Sequence, residues 1–163
     1  MTANDATRTA QLFAVFWLAL FPGWIAAAPP ATAFSGEAGL VDGVTVYLGV
    51  LPSEMIRGHP IGHPEVSMHG GPSGRRGEHH VLISLFDAEG TRLENMEAQA
   101  RVGEVGLSAV KKPLEPMQIA GTVTYGNFFS MPNSGPYSIE LDWRVKGGKK
   151  WSHAVFIYRH PKN

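Results

Sequence analysis

The chain contains no cysteine among its 163 residues. This absence excludes disulfide bonds, thiolate zinc sites and cysteine nucleophiles together. A small domain without disulfides depends on its packed core for stability. Any metal ion that it binds must use histidine, methionine, carboxylate or backbone ligands, all of which survive in an oxidising compartment.

The chain also lacks an excess of charge of either sign, because 14 basic and 14 acidic side chains give a formal net charge of zero. No global field would therefore attract nucleic acid or an anionic membrane. The common catalytic motifs are missing: there is no Gly-x-Ser-x-Gly elbow, no His-Glu-x-x-His pair and no phosphate-binding loop. The acidic residues show no evident pairing in sequence, so we do not expect an enzyme.

Long apolar runs are confined to the N-terminus, where residues 12–28 are almost wholly hydrophobic. Pro22 and Gly23 interrupt this stretch and leave an unbroken apolar core over 12–21. Such a core is short for a helix spanning about 30 Å of hydrocarbon, but it is typical of a signal peptide. Cleavage after Ala33 would give a signal peptide over 1–33, and an uncleaved N-terminal anchor is the alternative. Both place the domain in the periplasm or another extracytoplasmic space.

Glycine and proline are abundant, with 19 and 12 residues, and favour a fold with many turns. Residues 137–145 alternate cleanly, with Tyr, Ile, Leu, Trp and Val expected inward. Further strands are predicted over 44–51, 80–86, 93–105, 114–119, 121–129 and 151–158. About seven strands at regular spacing predict an all-β domain over 44–160, a single seven-stranded antiparallel β-sandwich of immunoglobulin-like or cupredoxin-like type, after a linker at 34–43.

A long loop at 52–78 joins the first two predicted strands and is rich in histidine, glycine and proline. Five of the seven histidines lie between residues 58 and 80. Imidazole and thioether donors favour copper over magnesium or calcium, so we predict a metal site for copper, with another divalent metal as the alternative. The donors in the loop are His59, His63, Met68 and His69. A solvated loop whose histidines are unpaired is the other interpretation.

The triplet Glu78-His79-His80 opens the second predicted strand. Neighbouring side chains in a strand point to opposite faces, so one histidine at most faces a given site, and Glu78 shares the face of His80. Each histidine is either a ligand or an ordinary polar residue at a strand end. Met117 is likewise either a ligand or a core residue.

Two later segments resemble the pattern of a known family. They contain Met117, the run Tyr125-Gly126-Asn127-Phe128-Phe129, and Gly135-Pro136-Tyr137. In the periplasmic iron-transport-associated proteins, which are copper-binding β-sandwiches, a Met-Pro-Met strand precedes a His-Tyr-Gly-Ala-Asn strand and then a Gly-x-Tyr strand. The pattern is also similar to that of YtkA-like and FixH-like extracytoplasmic domains, which handle copper delivery to oxidases. The likeness covers about half of the domain.

The resemblance implies both ligands and a function. Met117 matches a methionine ligand, and Glu78 and His80 match the acidic and imidazole ligands. Thr124 stands where that family has a ligating histidine, so either the loop histidines replace it or the site is lost. The implied function is an extracytoplasmic metal-binding accessory protein for copper handling or iron-uptake support, with an envelope membrane transporter or oxidase as partner. The alternative is a metal-free envelope domain that mediates protein–protein interaction.

Overall fold

The structure is a computed structural model that describes residues 33–34, 36–57 and 71–161. The predicted signal peptide therefore lies outside the described residues, apart from Ala33. In the described part of the chain no helix is long and apolar enough to cross a membrane. The elements are β1 (Ala33–Phe34), β2 (Ala38–Val41), β3 (Val44–Pro52), α1 (Ser53–Arg57), β4 (Glu78–Phe86), β5 (Met96–Glu104), β6 (Val110–Ile119), β7 (Thr122–Ser130), β8 (Tyr137–Val145) and β9 (Ser152–Tyr158).

The strands form two layers that share strand β6. The first layer has the order β1-β9-β8-β5-β6, and the second has the order β6-β7-β4-β3-β2. Residues 110–114 of β6 pair with β5, and residues 115–119 pair with β7. Strands β1 and β2 stand at opposite ends of this order but are consecutive in the chain. The sheet is therefore nearly closed.

Side chains form hydrogen bonds with backbone groups where β6 passes from one layer to the other. Pro113 lies at this crossing and has no N–H to donate. The Asn127 side-chain amide donates to the Pro113 carbonyl at 2.8 Å, and its oxygen accepts from the Phe128 N–H at 2.8 Å. The Lys112 ammonium donates to the Phe128 carbonyl at 2.6 Å. These bonds give the backbone groups beside the crossing side-chain partners.

The core lies between the inner faces of the two layers. From β8, the side chains at 137, 139, 141 and 143 are all 2% exposed or less, as alternation predicts. Val145 was also expected inward, but it is the last residue of β8 and is 58% exposed. From the second layer, Val46, Val81 and Ile83 are fully buried against them.

The all-β class is confirmed, but four details differ from the sequence-based prediction. There are nine strands in the described residues where seven were predicted. Strand β1 begins at Ala33, the last residue of the predicted signal peptide, and β2 lies within the predicted linker; at two and four residues they are too short to show an alternating pattern. Strand β1 also pairs with β9 in parallel, whereas a wholly antiparallel sandwich was predicted. Helix α1 begins the segment predicted as a loop, and the fully buried Ile56 anchors it.

Asp142 connects its own strand, β8, to three other strands on the outer face of the first layer. It accepts hydrogen bonds from His153 Nδ1 at 2.7 Å, Gln99 Nε2 at 3.0 Å and Lys111 Nζ at 3.2 Å. Burial raises the pKa of Asp142, but the bonds from His153 and Lys111 outweigh it and hold the pKa below its usual value. The ionised carboxylate therefore stabilises the fold above about pH 4, and this contribution is lost as the pH falls further.

We expect Asp142→Asn to flatten the loss of thermal stability on acidification, because the variant has no proton to take up at this position. The measurement is the melting temperature by circular dichroism between about pH 5 and pH 3. Glu140→Gln is the matched control, since Glu140 lies on the same strand and, among the described residues, forms one exposed ion pair, with Arg101 at 3.4 Å. Equal slopes for wild type and Asp142→Asn would contradict the assignment.

Candidate metal centre

The candidate centre lies on the outer face of the second layer, away from the core. Val81, Ile83 and Tyr125 point inward from β4 and β7, so their neighbours along each strand point outward. His80 pairs with Phe128 on this outward face, and Met117 on β6 pairs with Thr124. Both ligand candidates are nevertheless buried, at 0% and 4% exposure.

His80 and Met117 converge over the bare backbone of Gly126. A Cβ atom built at Gly126 would lie 2.6 Å from His80 Nε2 and 2.6 Å from Met117 Cε. The His80 ring stacks on Phe128 with 4.7 Å between ring centroids and 27° between planes, and this contact orients the imidazole. The imidazole nitrogen and the thioether methyl group therefore occupy the space that the missing side chain of Gly126 leaves. Together they form a soft ligand pair.

Two carboxylate residues, Glu78 and Glu115, lie on strands β4 and β6, which carry this outward face. Glu78 shares the face of His80, as alternation predicts, but its oxygens accept from the Ser73 N–H at 2.7 Å and the Ser73 hydroxyl at 2.8 Å. It thus stabilises the turn before β4 in the structure. Glu115 is directly opposite Gly126 in register, and sequence reasoning missed it. Its spacing of two residues from Met117 on one strand was the available signal.

Thr124 occupies the position where the resembling family has a histidine, and the side chain of Arg92 lies beside it. Arg92 Nη1 lies 3.4 Å from the Thr124 hydroxyl and donates to the Ser84 hydroxyl at 2.8 Å and the Val123 carbonyl at 3.1 Å. The guanidinium also stacks on the Phe86 ring at 4.7 Å. A fixed positive charge therefore stands beside Thr124 and disfavours ions of higher charge.

His79 is not part of this centre, although it was among the predicted ligands. It points to the inner face, where its Nδ1 donates to the Gly77 carbonyl at 3.1 Å and its ring lies 4.8 Å from the His160 ring. Burial lowers the pKa of His79, and the nearby His160 lowers it further, while the bond to Gly77 opposes both. The backbone alternation that separates His79 from His80 explains this placement.

The remaining predicted ligands, His59, His63, Met68 and His69, lie outside the described residues. Within the described residues no three His, Cys, Asp or Glu side chains are grouped so that they could hold a metal ion. The place where the His80 imidazole and the Met117 thioether meet over Gly126, here called the cradle, offers one histidine and one methionine. The participation of the loop donors and of Glu78 stays a prediction.

Solved structures with the same architecture include proteins described as copper-bound. A copper-bound variant of FetP from uropathogenic Escherichia coli strain F11 matches with a TM-score of 0.59 and 14% identity, covering 77% of this chain and 95% of that one. The fold is that of FetP. A copper-bound variant of P19 from Campylobacter jejuni matches with a TM-score of 0.57 and 12% identity, covering 78% of this chain and 98% of that one.

A DUF4426 family protein from Pseudomonas aeruginosa PAO1 shares the fold as well, with a TM-score of 0.55 and 13% identity over 77% of this chain and 95% of that one. No family model and no curated protein sequence matches the chain. At these identities the likeness concerns the fold. The similarity to YtkA-like and FixH-like domains stays a prediction.

Proposed function

We propose that this chain is an extracytoplasmic copper-binding accessory protein that holds Cu(I) between His80 and Met117. The observation that carries the proposal is the convergence of His80 Nε2 and the Met117 methyl over Gly126. Copper-bound FetP and P19, which have the same fold, support it. The role is to hold and transfer an ion, in copper handling or in support of iron uptake as the sequence resemblance implies.

The chemistry of the face favours the monovalent ion. A thioether and an imidazole are soft and borderline donors, which suit Cu(I) better than hard divalent ions. Arg92 adds a positive charge next to Thr124, across the β6–β7 pair from Met117. Coulomb repulsion from this charge is about twice as large for a divalent ion as for a monovalent one at the same distance.

Several features support a location outside the cytoplasm. The apolar N-terminal segment is typical of an export signal, and the chain has no thiol to oxidise. One of the FetP structures is of protein expressed in the periplasm of Escherichia coli. The proposed ligands require no reduced cysteine, so the site would persist in an oxidising compartment.

The proposal is tested by competition titration of the purified protein with Cu(I), beside calorimetry with Cu(II), Zn(II) and Fe(II). We expect one Cu(I) to bind more tightly than micromolar, and His80→Phe and Met117→Leu to weaken binding at least about tenfold while retaining the packing. Met96→Leu is the matched control, because Met96 packs against the core. Cu(I) binding weaker than micromolar, or equal losses in Met96→Leu and Met117→Leu, would sink the proposal.

A further inference from the structure

A cavity of about 910 Å³ opens at the end of the sandwich where β4 begins and β9 ends. Its lining comes from both layers, with His79 from β4 and His160 from the segment after β9. It is separate from the copper cradle, because His79 and His80 point to opposite faces of β4. The volume is within the range of small-molecule sites.

The charged side chains among the described residues that line this cavity are all positive. The described residues that line it include two arginines, Arg76 and Arg159, and no aspartate or glutamate. Both arginines are exposed, and within the described residues neither forms an ion pair. Glu104 lies nearby but does not line the cavity, and it accepts a hydrogen bond from the Asn133 side chain at 2.8 Å. The lining therefore attracts an anion and repels a metal cation.

His160 lines the same cavity as these arginines, and one of its ring nitrogens is buried. His160 Nε2 is buried and has no hydrogen-bond partner within the described residues. Its ring is held edge-on by Tyr137 at 5.5 Å and by Tyr158 at 5.2 Å, so it has little freedom to turn towards water. Buried polar atoms are nearly always satisfied in native proteins, so this nitrogen has hydrogen-bonding capacity left for a ligand or a water molecule in the cavity.

We propose that this cavity binds a small oxyanion, a carboxylate or a phosphate group, between Arg76 and Arg159, with His160 Nε2–H donating to it from the wall. Guanidinium groups match the paired oxygens of both anions. His79 contributes packing and no N–H, because its Nδ1–H is already used by the Gly77 carbonyl. The site is independent of copper.

The test uses the full chain in chelator-treated buffer of low ionic strength, titrated by calorimetry with sodium phosphate and, separately, with sodium succinate. We expect one equivalent of at least one anion to bind. Arg76→Gln, Arg159→Gln and His160→Phe should each weaken that binding about tenfold. Arg101→Gln is the control, since Arg101 is an equally exposed arginine that pairs with Glu140 on the first layer.

Each outcome decides the proposal. Binding of phosphate alone identifies a phosphate group as the ligand, and binding of succinate alone identifies a carboxylate. The absence of heat with both anions overturns the proposal, and so does a loss in Arg101→Gln equal to that in Arg76→Gln. Because copper is absent throughout, failure here leaves the copper proposal untouched.

Discussion

Gly126→Ala should weaken Cu(I) binding at least about 100-fold, which is the largest effect on binding that we expect from a single methyl group. The added Cβ would lie 2.6 Å from both His80 Nε2 and Met117 Cε, closer than real contacts allow. Both groups are the far ends of side chains, so they would move apart, and the Val81 carbonyl oxygen, 3.2 Å from the added Cβ, would shift by a few tenths of an ångström. The measurement is competition titration with Cu(I).

The fold of Gly126→Ala should survive, because alanine in a strand loses less conformational entropy on folding than glycine. Circular dichroism and the melting temperature would verify this. Gly36→Ala is the matched control, since a Cβ at Gly36 meets nothing within 4 Å. Wild-type affinity in Gly126→Ala would show that the two side chains do not share a ligand.

Trp143→Ala should lower the free energy of unfolding by about 3–5 kcal/mol, the largest effect on stability that we expect from one residue. Trp143 is 1% exposed and lies in the core between the layers. Its Nε1–H is buried and has no hydrogen-bond partner in the part of the chain that the structure describes, so we attribute its contribution to apolar packing. Urea unfolding followed by circular dichroism measures the difference.

Trp143→Phe separates packing from hydrogen bonding at the same position. Phenylalanine keeps an aromatic ring and removes a donor that is unsatisfied, so the loss should be under about half of that in the alanine variant. If phenylalanine costs as much as alanine, the indole N–H has a stabilising partner and the packing argument is wrong.

The strands were predictable to the extent that period-two alternation persisted over many residues. Strand β8 was predicted with the same bounds, Tyr137–Val145, because five apolar residues alternate with polar ones. Strands β1 and β2 were missed because two to four residues carry no period. The crossing of β6 between layers was also missed, since it depends on bonds from Asn127 and Lys112 to distant backbone groups.

The candidate site was likewise predictable only where side-chain alternation within one strand was sufficient. Alternation alone indicated that Glu78 and His80 share a face and that His79 does not. Only strand register shows that Glu115 lies opposite Gly126, and only packing shows that the Glu78 carboxylate is held by Ser73. Nothing in the neighbouring sequence indicates that Arg92 reaches Thr124, because the two residues are 32 positions apart.

By itself, the sequence determined the donor chemistry and the all-β class. An absence of cysteine restricts ligands to imidazole, thioether and carboxylate, and side-chain alternation is a local property that needs no knowledge of distant residues. The tertiary structure alone decided which donors meet. His80, Met117 and Gly126 come from three strands, and their convergence depends on register, which the hydrogen bonds between strands establish only when the chain folds.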